Sequence, residues 1–280
     1  MILDIKTLAV RLTDEVRENV KKLKQTPHLT IIMVGNSSAS EVYVRNKLKT
    51  CENVGIQSHL LHFEESISED ELLEHIKKLN RDQNITGILV QSPLPKQIKA
   101  QVIFDAIDAQ KDVDGFSGTN ISRLYSGDES GLIPGTPKGI MEIIKNHETV
   151  EGKNVVVIWK STIVGKPLAM LLLHAGATVI ICHSRTNNLA FHTKNADVII
   201  SAVGKKHLIT VDMVKTGALV VDVGINVEEG TQGRKLFGDC DTENIGKIAD
   251  ITPVPGGVGP MTIAMLLANV LIAHQLQWKH

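Results

Sequence analysis

Short apolar runs alternate with stretches of helical period twice along this chain, and no other feature constrains its fold as strongly. In the first series, residues 29–34 (LTIIMV) read as a buried strand ending in Gly35, Asn36, Ser37 and Ser38, and a helix follows over about 39–53. A second strand, 56–63, leads to Ser68 and Glu71, which are spaced as a capping box before a helix reaching about residue 80. A third, 87–90, stops at the run QSPLP. Ahead of these, Ile5, Leu8, Leu12, Val16, Val20 and Leu23 recur at three- and four-residue steps, one face of an opening helix over about 4–24. Strands separated by helices make a parallel sheet, whose ligands bind beyond the strand carboxyl ends.

Residues 111–137 are rich in Asp, Gly, Ser and Pro without sustained period, and predict loops between two domains. Thr136 and Pro137 then start a helix by cap-and-proline chemistry, running to about residue 146. The second series has strands over 155–159, 178–182, 198–201 and 219–223, with helices over about 164–174 and 212–215. Its first strand-to-helix turn, 160–165, is where such a fold takes dinucleotide phosphates. A mostly apolar helix over about 260–277 is expected to pack back across the domain junction. The expected fold is therefore α/β with two domains. An N-terminal parallel α/β unit, 1–136, is completed by the C-terminal helix, 260–280, and a Rossmann-like coenzyme domain spans 137–259. A length of 280 residues suits two domains, which together can bury about three-quarters of the unfolded surface.

The balance of 30 Lys+Arg against 31 Asp+Glu gives no global field toward nucleic acid or anionic lipid, and 3% aromatics argues against base-stacking platforms. A small-molecule partner is favoured. Cys51, Cys182 and Cys240 are odd in number and widely spaced, which predicts neither a disulfide framework nor a zinc site, and a reducing compartment. Asp4, Lys6 and Arg11 interrupt the N-terminal apolar pattern, unlike a signal peptide, and Asn269 breaks the apolar stretch 263–273, too short for a bilayer. A cytoplasmic protein without membrane contact is expected.

Neither GxGxxG nor GxxxxGK[ST] occurs, so dinucleotide binding rests on the fold expectation alone. Tyr43 and Lys47 share a helix face at the end of the first strand, where a lysine of lowered pKa could relay protons. Arg45 and Lys49 are equally available by spacing. Asp112 and Asp114 alternate in an extended loop and should point to opposite sides, and His59 and His62 fall on opposite strand faces, so no metal is expected. The run from Pro253 to Pro260 (PVPGGVGP) puts rigid and glycine-rich backbone just ahead of a helix, which suits close ligand approach.

Taken together, YVRNK (43–47), VQSPLP (90–95), KDVDG (111–115), KSTIVGKP (160–167), ICHSRT (181–186), VDVGIN (221–226) and ITPVPGGVGPMT (251–262) resemble one family. It is the bifunctional methylenetetrahydrofolate dehydrogenase/methenyltetrahydrofolate cyclohydrolase family, matched in motif order over nearly the whole chain. The resemblance implies NADP-dependent oxidation of 5,10-methylenetetrahydrofolate to the methenyl cation, followed by hydrolysis to 10-formyltetrahydrofolate, in one interdomain cleft. It also implies a homodimer formed by the coenzyme domains, and a place in supplying formyl groups for purine synthesis.

By the same resemblance Lys47 activates water, Tyr43 orients Lys47 and the folate, and Gln91 hydrogen-bonds Lys47 or substrate. Asp114 would hold the amidine-like edge of the pterin, with Val90 and Ser92 meeting substrate through backbone. Pro255, Gly256, Gly257, Val258, Gly259, Pro260 and Thr262 would line the folate side. On the coenzyme side the resemblance assigns Trp159, Lys160, Ser161, Ile163, Gly165, Ser184, Arg185 and Ile225. Here the chain departs from the family's usual Gly-Arg-Ser, having Trp159, Lys160 and Ser161. Lys160 keeps a positive charge for a ribose 2'-phosphate but loses the planar fork of arginine, and Trp159 adds bulk. That departure leaves open a single-activity member, either an NAD-dependent dehydrogenase or a cyclohydrolase only. A non-catalytic folate or nucleotide sensor is the third reading.

Overall fold

A computed structural model describes residues 1–230 and 233–278. The chain forms two compact units, one of Arg11–Gly135 with the chain from Ile263 onward, the other of Met1–Val10 with Thr136–Thr262.

The first unit is built on a three-stranded sheet. In chain order it holds most of α1 (Ile5–Val20), then β1 (His28–Val34), α2 (Ser38–Val54), β2 (Gln57–Phe63), α3 (Glu69–Arg81), β3 (Gly87–Val90), α4 (Ala100–Ala106) and α5 (Gly118–Ser126). The strand order is β2-β1-β3, all parallel, with Ile32 level with Leu61 and Val90. Both faces of β1 are covered, which is why it reads as an unbroken apolar run. Alternate residues serve two cores. Leu29, Ile31 and Met33 pack with Val16, Val20, Val44 and Cys51, whereas Ile32 and Val34 meet Leu72, Ile76, Ile103 and Phe104. Ser68 and Glu71 form the expected capping box of α3.

The stretch 111–137, expected as loops, contains α5. Ser117 caps its start and Gly127, left-handed, ends it, and its nine residues are too few for a period to show among so many polar ones. Helix α4 likewise escapes the sequence pattern.

The second unit holds α6 (Gly135–His147), β4 (Asn154–Ile158), α7 (Gly165–His174), β5 (Thr178–Cys182), α8 (Leu189–Thr193), β6 (Val198–Ser201), β7 (Leu219–Asp222), β8 (Asn226–Gly230), β9 (Gly233–Phe237), α9 (Thr242–Ile245) and β10 (Asp250–Ile251). The helix expected over 212–215 is a single 3-10 turn, Val211–Met213. Five parallel strands order β10-β7-β6-β4-β5, and β8 pairs with β9 as a hairpin. Numbered within the sheet this is 2-1-3-4-5, the doubly wound order whose switch point lies between the first strand, β4, and the third, β6.

Residues 1–10 group with the second unit. Leu3 N–H donates to the Ile251 carbonyl and Ile251 N–H to the Met1 carbonyl, both at 2.9 Å, so the first residues add to the β10 edge.

Helix α10 (Val258–Gln277) runs on from the second unit into the first. At 20 residues it is long and apolar enough to cross a membrane, unlike the 11-residue stretch singled out in the sequence. Its Leu266, Leu267, Val270 and Leu271 are instead buried with β1 and α1, so it is a core helix of the first unit.

Candidate active site

In the first unit, Lys47 rises from α2 and Gln91 follows directly on β3. Lys47 Nζ donates to Gln91 Oε1 at 3.0 Å, and Gln91 Nε2 donates to the Ser92 carbonyl at 2.8 Å, which fixes the carboxamide orientation. Gln91 N–H itself donates to the Ile32 carbonyl, extending the β1–β3 ladder by one residue. Burial pushes the Lys47 ammonium below its ordinary value, while the Asp114 carboxylate opposes that shift. Burial also pushes the Asp114 carboxyl up to about 6, against the pull of Lys47 and with Asp112 adding to the rise. Burial thus favours the neutral form of both groups, and their mutual attraction favours the charged pair. Tyr43, one turn before Lys47, is 42% exposed, and burial of the rest raises its hydroxyl.

The geometry separates Lys47 from the residues that spacing left equal to it. Arg45 and Lys49 line a groove of about 850 Å³ against β2, together with His28 and His59, away from Gln91. Asp112 and Asp114 part as expected. Asp112 Oδ2 accepts from Ser117 N–H at 2.8 Å and Asn120 Nδ2 at 3.0 Å, holding α5, while Asp114 lies within electrostatic reach of Lys47.

The loop carrying Asp114 is fastened at several points that sequence reasoning missed. Lys111 is buried, and its ammonium donates to the carbonyls of Leu79, Asn80 and Asp82 at 3.1, 2.9 and 2.7 Å, so it closes the C-terminal end of α3. Gly115 is left-handed at φ +68°, and a Cβ there would lie 2.6 Å from the Leu132 carbonyl oxygen. Asn269 of α10 donates through Nδ2 to the carbonyls of Val113 at 2.8 Å and Ile133 at 2.7 Å. Its position inside an otherwise apolar run was the available signal. Val90 is buried, so its side chain packs in the core and only its backbone can face a ligand.

In the second unit the strand ladders bring the expected coenzyme residues to one edge. Ile158 is level with Cys182 and with Ser201, and Ser201 with Asp222, so four strands end side by side. From them emerge Trp159, Lys160, Ser161 and Ile163; then Ser184 and Arg185; then the loop 202–205; then Ile225. Ser161 Oγ accepts from Val164 and Gly165 N–H at 3.2 and 3.3 Å, shaping the turn into α7. A Cβ on Gly165 would lie 2.0 Å from the Trp159 carbonyl oxygen, so only glycine lets α7 start this tightly against the loop. Lys160, Ser184, Arg185 and Ile225 are exposed. The loop 202–205 was not singled out in the sequence, because no motif marks it.

The glycine-rich segment also differs from expectation. Helix α10 begins at Val258, two residues earlier than its apolar pattern predicts, so Val258, Gly259 and Pro260 form its first turn. Proline is tolerated there. Pro255, Gly256 and Gly259 leave backbone accessible, Gly257 approaches the Pro253 carbonyl too closely for a Cβ (2.4 Å), and Val258 is buried. Thr262 Oγ1 lies 3.2 Å from the Val258 carbonyl and 3.1 Å from Thr136 Oγ1.

A doubly wound unit with a coenzyme-type edge, joined to a second α/β unit carrying a half-buried Lys–Gln–Asp group, defines a two-domain oxidoreductase with an added acid-base centre. Residues 3–114 match the tetrahydrofolate dehydrogenase/cyclohydrolase catalytic domain, and residues 134–278 match the NAD(P)-binding domain of the same family. The chain belongs to the tetrahydrofolate dehydrogenase/cyclohydrolase family. It is 48% identical over 281 aligned positions to the bifunctional protein FolD of Staphylococcus aureus, covering 99% of this chain and 97% of that protein. The crystal structure of the bifunctional FolD of Campylobacter jejuni superposes with a TM-score of 0.95 at 46% identity, covering 99% of each chain. The FolD of Trypanosoma brucei, solved in complex with NADP and an inhibitor, gives 0.94 at 30% identity, covering 100% of this chain and 99% of that one.

Proposed function

We propose that this chain oxidises 5,10-methylenetetrahydrofolate with NADP and hydrolyses the resulting 5,10-methenyltetrahydrofolate to 10-formyltetrahydrofolate. The observation that carries the reading is the Lys47 to Gln91 hydrogen bond, beside Asp114, in a chain of this family. The residues present fit the coenzyme. Gly165 lets the N-terminus of α7 start tightly against the β4 exit, and Lys160 and Arg185 bring positive charge to neighbouring strand exits for a 2'-phosphate.

When bound, NADP supplies the hydride acceptor, and the protein's share of that step is alignment of the folate bridge. For the hydrolysis, neutral Lys47 Nζ takes a proton from water as its oxygen bonds to the methenyl carbon. The ammonium then returns that proton to N5 as the carbon–N5 bond breaks, and the hydroxyl proton of the adduct leaves to solvent, giving the N10-formyl product. Gln91 holds Nζ at the place of attack, and Asp114 anchors the amidine-like edge of the pterin. Tyr43 orients the folate beside Lys47. For Pro255, Gly256, Gly257, Val258, Gly259, Pro260 and Thr262 the folate-binding role rests on the family motif, with Val258 contributing through backbone.

The chain is further proposed to act as a homodimer, in the cytoplasm, in a step feeding purine synthesis. Strand β5 is a sheet edge whose Ile180 and Ile181 are exposed, a surface that a second copy would cover. All three cysteines are buried and unpaired, which suits a reducing compartment. Light scattering of wild type and Ile181→Lys tests the dimer, with a monomeric variant expected.

The activity is tested by following absorbance of reduced coenzyme and of the methenyl cation with 5,10-methylenetetrahydrofolate and either NADP or NAD. Reduction of NADP with little methenyl accumulation is expected. Hydrolysis of added methenyltetrahydrofolate without reduction of either coenzyme would overturn the dehydrogenase half, and binding of folate without turnover would overturn both.

A further inference from the structure

The loop after β6 is held in place by a single buried carboxylate. Asp239, on the residue pair that follows β9, is fully buried and collects five donors. Its Oδ2 accepts from Ser201 Oγ at 3.1 Å, Val203 N–H at 2.6 Å and Gly204 N–H at 3.3 Å. Its Oδ1 accepts from Lys205 N–H at 2.8 Å and Asn226 Nδ2 at 3.2 Å. Three successive backbone N–H groups converging on one anion form a nest, and here the anion is internal.

A second carboxylate aims the first. Buried Asp222 accepts from Asp239 N–H at 2.9 Å, Cys240 N–H at 2.8 Å and Gly224 N–H at 3.0 Å. Two glycines make the room. A Cβ on Gly224 would lie 2.2 Å from Asp239 Cγ, and one on Gly238 would lie 1.9 Å from Asp222 Oδ2. Neither side chain could sit where it does if its neighbouring glycine carried a methyl group.

The place of this network gives it a function. The loop it fixes, 202–205, leaves β6 at the switch point of the sheet, with Ser201 level with Ile158 at the end of β4. Through Asn226 it also fixes the residue after Ile225. We propose that Asp239 is a positioning residue for the coenzyme, which sets the loop 202–205 and the 224–226 turn against it without touching it. The inference rests on the dehydrogenase reading above.

An amide in place of the carboxylate accepts at only one oxygen, so at least two of the five donors lose their partner in Asp239→Asn. The expected result in the purified enzyme is a KM for NADP raised at least tenfold, with direct NADP binding weakened in parallel. The KM for 5,10-methylenetetrahydrofolate and the rate of methenyltetrahydrofolate hydrolysis, which uses no coenzyme, should stay within twofold. Should Asp239→Asn lose hydrolysis too, Ser201→Ala decides, since it removes one donor and is expected to raise the NADP KM two- to fivefold. An NADP KM unchanged in a folded Asp239→Asn, or in Ser201→Ala when the first variant does not fold, overturns the inference. Wild-type enzyme that reduces neither coenzyme would instead overturn the dehydrogenase reading.

Discussion

The carboxamide of Asn269 donates to the carbonyl of Val113 at 2.8 Å, so the residue before Asp114 is tied to the C-terminal helix. A second bond from the same nitrogen, to Ile133 at 2.7 Å, pins the far side of that loop. Asn269→Leu leaves one buried and one half-buried carbonyl short of a partner, and should destabilise the protein by about 2–4 kcal/mol in urea titration. Because the loop carries Asp114, hydrolysis should fall further than the loss of folded protein explains. A variant with full hydrolysis per folded molecule would show that Asn269 only stabilises.

Lys47→Met removes the donor to Gln91 and, with it, the group proposed to move the proton. General acid-base groups contribute about 10²–10⁴-fold, so hydrolysis of methenyltetrahydrofolate should drop by at least about a hundredfold, while NADP reduction suffers less. A loss smaller than tenfold would assign the proton transfer elsewhere.

The pH profile of hydrolysis follows from the same pair. Lys47 must be neutral to take a proton, so the rate rises with pH through a value below that of an ordinary lysine. Ionised Asp114 stabilises the ammonium and holds that value up; below about 6 it becomes protonated and this attraction fades. In Asp114→Asn the attraction is absent at every pH, so the rising limb should shift to lower pH even as the KM for folate increases. A limb that stays in place, measured from pH 5 to 10, would show that the two side chains do not interact.

How much of this could be read beforehand depended on the kind of signal each residue leaves. Strands such as β3 and β6 coincide with their apolar runs, because a parallel strand buried between helices must be apolar along its length. Lys47 could not be told from Arg45 and Lys49 by spacing. What distinguishes it is Gln91, 44 residues away, and only the pairing of β1 with β3 brings the two together. The anchors Lys111 and Asn269 look like an ordinary charge and a flaw in an apolar helix until their carbonyl partners, up to 156 residues distant, are in view. Short helices such as α5, made by a serine cap and a left-handed glycine, have no period long enough to detect.

The remaining prediction concerns Lys160, the exposed cation at the exit of β4. A lysine there is a point charge on a flexible stem, whereas an arginine would offer a planar fork to a phosphate. Lys160→Ala should therefore raise the KM for NADP at least tenfold and leave that for NAD nearly unchanged, because only NADP carries the 2'-phosphate. Lys160→Arg should lower the KM for NADP, with the part-buried Trp159 limiting how far the fork can settle. Steady-state kinetics with both coenzymes separates the outcomes. If Lys160→Ala weakens NAD and NADP equally, the 2'-phosphate is held elsewhere, and Arg185 on the neighbouring loop becomes the residue to replace.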